Sequence, residues 1–168
     1  MNAVFSRGKQ VNWPAMIMFA LGFWLSSSLL LDLVIIPSLS ATGMMTQANF
    51  ASAGYLMFGI FNRVELVCAA LVLTSFLVLG RNHNYFSSDK QRWSIILSTL
   101  LLAITLTCTY FLTPQMSGLG LQLNLFETSY SMPTGMVSMH EGYWALEAVK
   151  LTVCAWLLRW CYRDSCAI

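Results

Sequence analysis

The chain predicts an all-α fold, an integral membrane four-helix bundle with N-in/C-in topology, on three observations. Only 10% of its 168 residues are charged and 57% are hydrophobic, with a mean hydropathy of +0.65, whereas a water-facing domain carries about 25% charged residues. Four apolar runs qualify as spans by the roughly 20 mostly apolar residues that a helix needs to cross a hydrocarbon core of about 30 Å. The basic residues lie almost entirely on one side of those runs.

The first run, 13–36, goes from Trp13 to Ile36 and is expected to stop at Pro37. Arg7 and Lys9 precede it as in a signal peptide, but it exceeds the h-region length of about 7–15 residues, so it reads as a true span. The second, 55–79, ends at Gly80-Arg81. The third, 93–112, leads into Thr113-Pro114, and the fourth is 143–160. Together they form a single transmembrane domain over 1–168.

Orientation follows from charge. Of nine Lys and Arg, all but Arg63 and Lys150 fall in the N-terminal segment, the connection between spans two and three, or the C-terminal region. The connections after spans one and three carry none, which places both termini in the cytoplasm by the positive-inside rule. Trp13, Trp93 and Trp160 mark the inner interface, and Tyr55, Tyr143 and Trp144 the outer one. The expected outer loop is 113–142. Its Leu119–Phe126 stretch alternates leucines as a strand does, but also fits one helix face.

Charges within a bilayer cost at least about 2.5–3.5 kcal/mol each near the centre, so they are normally paired, hydrated or functional. Asp32, Arg63, Glu65, Glu147 and Lys150 are such residues, and the predicted topology brings all five to the outer layer. Glu147 and Lys150, three apart, can pair along one helix. Arg63 and Glu65, two apart, point about 200° from each other and need different neighbours. The expected pairs are Arg63 with Asp32 or Glu147, and Glu65 with Lys150. His140, Trp144, Glu147 and Leu151 are read as one face of span four, and Thr105, Thr107, Thr109 and Tyr110 as hydroxyl donors from span three. Three readings remain open for the cluster: interhelical pairs that fix register, a site for a proton, ion or small polar ligand, or a docking point for another membrane subunit.

Several functions are disfavoured. No basic run or aromatic-basic interleaving points to nucleic acid. Cys68, Cys108, Cys154, Cys161 and Cys166 form no CxxC pair. His83 and His140 fall on opposite sides of the membrane, so they do not pair as haem ligands. His140-Glu141-Gly142-Tyr143-Trp144 begins like a zincin motif but has Trp where the second His must stand, leaving no metal site. No catalytic residues are expected. His140 and Glu141 remain a possible ligand or pigment contact, and a chlorophyll or quinone there is an outside alternative to having no cofactor.

The layout resembles the four-helix membrane family represented by transmembrane protein 205, whose bacterial members are mostly of unknown function. The resemblance rests on Phe61-Asn62-Arg63-Val64-Glu65-Leu66, on Tyr110-Phe111-Leu112-Thr113-Pro114, and on His140 leading into Tyr143-Trp144-Ala145-Leu146-Glu147. It implies topology more than function, and Glu147 stands where that family more often has a neutral polar residue. The general style also resembles small accessory membrane proteins of cyanobacteria and plastids. The leading expectation is therefore a non-enzymatic accessory or assembly protein docked on a larger membrane complex, photosynthetic or respiratory, in a bacterial inner membrane or thylakoid-type membrane. The alternative is a small oligomeric transporter or channel that uses the outer-half charges.

Overall fold

The computed structural model describes residues 12–44, 50–81, 88–116, 118 and 134–165. Among these, regular structure is helical throughout. Helix α1, Trp13–Ala41, and helix α2, Phe50–Arg81, are followed by α3, which begins at Ser88 and runs on to Met116, and by α4, Thr134–Ser165. The first three are long and apolar enough to cross a membrane. α4 carries Glu141, Glu147, Lys150, Arg159, Arg163 and Asp164, and composition alone does not mark it as a span.

The helices outrun the expected boundaries, and prolines do not stop them. Pro37 lies inside α1, and α3 continues past Pro114 to Met116. Proline in a helix lacks an N–H and its ring collides with the carbonyl four residues back. In both helices the turn just before the proline widens to i→i+5 bonding. The Ile36 N–H bonds to Leu31 O at the end of the π turn Leu31–Ile35, and the Thr113 N–H bonds to Cys108 O at the end of Cys108–Leu112. The carbonyls that the rings would strike, at Leu33 and Tyr110, both fall within these widened turns. α1 finally ends where Gly43 takes φ +69, with its N–H bonded to Ser40 O. The expected loop 113–142 is correspondingly shorter, because Thr113–Met116 and the stretch from Thr134 onward are helical. The Leu119–Phe126 stretch lies outside the described residues, as do Arg7, Lys9, His83 and Cys166.

The helices pack in a ring. α1 lies against α2 and α4, and α3 also lies against α2 and α4. Lys90, in the first turn of α3, meets Asp164, near the end of α4, and a Cβ on Gly80 at the end of α2 would strike the Gln91 amide of α3. The interior has two layers. One is apolar, built from Ile17, Leu21, Ala69, Val72, Phe76, Leu101 and Leu157. The other, toward the α1–α2 connection, buries Ser28, Asp32, Asn62, Glu65, Thr113, Glu147 and Lys150. Trp24 stands at their boundary.

A buried charge network as candidate functional site

Glu65 is the hub of the polar layer. α2 presents it inward, 1% exposed, while Arg63 two residues earlier faces out, as their angular separation on a helix requires. The Glu65 Oε1 accepts the Trp24 indole N–H at 2.8 Å and the Ser28 hydroxyl at 3.1 Å, both from α1. Its Oε2 accepts from Lys150 Nζ of α4 at 2.5 Å. One carboxylate thereby ties three helices. Lys150, 1% exposed, also lies 2.7 Å from Glu147 Oε2. That contact is a buried ion pair, so of the two Glu147 oxygens only Oε1 stands without a partner. The ammonium also stands 5.8 Å from the centroid of the Tyr143 ring.

Asp32 occupies the π turn of α1. It is 8% exposed, interacts electrostatically with Lys150 and Glu65, and leaves its Oδ2 without a hydrogen-bond donor. A second polar group lies alongside. Asn62 Nδ2 donates to Thr113 Oγ1 at 2.6 Å, and the Tyr143 hydroxyl reaches Asn62 Oδ1 at 3.5 Å. The Tyr143 ring meets Phe58 edge-on.

The sequence-predicted residues thus divide. Asp32, Glu65, Glu147 and Lys150 come together, and the pair of Glu65 with Lys150 is as expected. Arg63 is exposed and forms none of the ion pairs expected of it among the described residues. His140, Glu141 and Trp144 are exposed, so the face read as His140–Trp144–Glu147 is out of phase. The side of α4 that turns inward is Tyr143, Glu147, Lys150, Cys154, Leu157 and Cys161, spaced alternately by four and three. The span-three hydroxyls also behave differently. Thr105, Thr107 and Thr109 bond to carbonyls of their own helix, at Leu101, Ala103 and Thr105, and Tyr110 is 63% exposed. Thr113 supplies the cross-helix hydroxyl instead.

Comparison with protein-family models, curated proteins and solved structures finds no match. The chemistry is therefore read from the side chains themselves. Trp24, Ser28, Asn62 and Thr113 were not read as parts of a site from sequence. Ser28 and Trp24 lie four and eight residues before Asp32, on the same helical face, and that spacing was the available signal. Among the described residues no group of His, Cys, Asp and Glu gathers as metal ligands do.

Proposed function

We propose that the chain is a four-helix membrane bundle with both termini in the cytoplasm, serving as a non-enzymatic accessory or assembly protein on a larger membrane complex. The resemblance to the transmembrane protein 205 family and to small accessory proteins of photosynthetic and respiratory membranes is in keeping with that reading. The observation that carries it is Arg63. An exposed guanidinium sits amid exposed Leu56, Ile60, Val64 and Val67 on an apolar span. Counting about 1.5 Å per residue from the middle of Ser52–Arg81, Arg63 lies several ångströms inside a hydrocarbon core of about 30 Å. A charge there needs a counter-group, and none comes from this chain's described residues. An acidic side chain on a partner's membrane helix supplies one. Glu65, by contrast, is saturated by Trp24, Ser28 and Lys150, as suits a structural tie between helices.

The test is a mild-detergent purification through a C-terminal tag, run on a native gel beside Arg63→Leu. The wild type should migrate with a large complex at fixed stoichiometry, and Arg63→Leu should run free while melting at the same temperature. Wild type recovered alone, or an Arg63→Leu chain still held in the complex, would sink the proposal. If Arg63 instead reaches a lipid phosphate, the wild type runs free and rebinds anionic lipid.

The second reading is the small oligomeric transporter or channel, favoured by the donorless oxygens of Asp32 and Glu147. It predicts flux in proteoliposomes that Glu147→Gln abolishes. Absence of flux from a defined homo-oligomer would remove it.

A further inference from the structure

The buried layer holds a charge imbalance that its own residues do not cancel. From α1 comes Asp32, from α2 Glu65, and from α4 Glu147 and Lys150, all buried. The other titratable side chains that interact with these charges are Tyr143 and Cys154 of α4, Cys108 of α3 and Cys68 of α2, all neutral in their ordinary forms. Arg63 turns outward and leaves the balance. Three carboxyl groups therefore face one ammonium.

The surplus has a location. Glu65 has a donor at both oxygens, so its charge is accommodated. Asp32 Oδ2 and Glu147 Oε1 are buried with no hydrogen-bond donor, while Glu147 Oε2 shares the Lys150 ammonium with Glu65. A buried carboxylate oxygen without a partner is strongly disfavoured, more so in a membrane than in water. Asp32 lies in the wide turn Leu31–Ile35, where the regular i→i+4 ladder is interrupted, and interacts electrostatically with Glu147.

We infer that the Asp32–Glu147 corner binds a small monovalent cation, either a proton or a single alkali ion. Both bring one positive charge to oxygens that have no donor. The inference goes beyond the accessory and transport readings and stands whichever of them holds, because it requires only that these side chains be buried within the helices.

Infrared difference spectra of the purified full-length protein in lipid test it. One arm changes pH from mildly alkaline to mildly acidic in alkali-free buffer. The other adds sodium or potassium chloride at fixed pH. A protonated-carboxyl carbonyl band that grows on acidification and is lost in Asp32→Asn or Glu147→Gln assigns a proton. A carboxylate band that shifts with alkali ion at constant pH, again lost in those variants, assigns the ion. Wild-type carboxyl bands indifferent to both arms, or a response that survives in both variants, overturn the inference. A second measurement needs no variant. A hydrophobic carbodiimide applied to the wild type and mapped by mass spectrometry should modify Asp32 or Glu147, with labelling suppressed by alkaline pH or by the alkali ion. Labelling at neither residue, or labelling insensitive to both conditions, likewise overturns it.

Discussion

The Lys150 ammonium of α4 lies 2.5 Å from Glu65 Oε2 of α2, and each side chain is 1% exposed. Removing one member of a buried pair leaves the other charged and unpartnered, which costs about 3–5 kcal/mol. Lys150→Met should therefore destabilise by that amount and lower the melting temperature by on the order of 10 °C. Adding Glu65→Leu to Lys150→Met should restore part of the loss, because two apolar residues leave no orphaned charge at that contact. Thermal unfolding in detergent followed by circular dichroism checks both. A Lys150→Met protein as stable as wild type would show that the pair is not the tie between α2 and α4.

Trp24 reports on the same hub from α1. Its indole N–H donates to Glu65 Oε1 at 2.8 Å, and the ring is 2% exposed. Trp24→Phe keeps most of the packing and removes the donor. A hydrogen bond to a charged group contributes about 1.5–3 kcal/mol, and that is the expected loss. In a double-mutant cycle with Glu65→Gln the two losses should be markedly non-additive. Additive losses would mean that the two side chains do not act on each other.

The second cross-helix ion pair should behave in the opposite way. Lys90 Nζ lies 2.9 Å from Asp164 Oδ1 at the other end of the helices, with the side chains 47% and 22% exposed. Pairs this open to solvent contribute about 0–1 kcal/mol and weaken with salt. Asp164→Asn should shift the melting temperature by no more than about 3 °C. A loss as large as that from Lys150→Met would contradict the ranking by burial.

The proposed orientation has its own test. A fluorescent-protein fusion after Ile168 should fluoresce and an alkaline-phosphatase fusion there should be inactive, since each reporter works on only one side of the membrane. A fusion in the α1–α2 connection should give the reverse. The opposite pattern at the C-terminus would invert the bundle and move the charge network to the cytoplasmic half.

What was legible in the sequence followed from local chemistry. Apolar length foretold α1, α2 and α3 as candidate spans, and the spacing of Glu147 and Lys150 foretold their ion pair. The opposition of Arg63 and Glu65 around α2 was readable too, but which of them faced inward was not. Interior and lipid-facing surfaces are both apolar, so a membrane helix lacks the polar stripe that phases a soluble one. The same degeneracy misphased α4, where Trp144 was grouped with Glu147 although Tyr143 shares its buried face. Helix ends were misjudged at Pro37 and Pro114 for another reason. Proline forbids a regular helix but tolerates one whose preceding turn has widened, and nothing in Leu31–Ile35 or Cys108–Leu112 announces that widening.

That accommodation makes Pro37 the site of a prediction with the opposite sign from those at the network. Beyond Asp32, no described side chain of α1 is fully buried and only Ile35, Ile36 and Leu39 are half-buried, so the last turns carry little packing that a change of twist would break. Pro37→Ala supplies an N–H and removes the ring that the π turn relieves, while Asp32 and the residues before it stay where α2 and α4 hold them. Proline inside a helix is about 3 kcal/mol less favourable than alanine, and the widened turn has already offset part of that. The expected gain is about 1 kcal/mol, a rise in melting temperature of about 2–4 °C. Hydrogen exchange should show greater protection of the amides around residue 37. A lower melting temperature would mean that the π turn holds Asp32 in place and depends on Pro37 to persist, and that the end of α1 is part of the polar site rather than a free helix terminus.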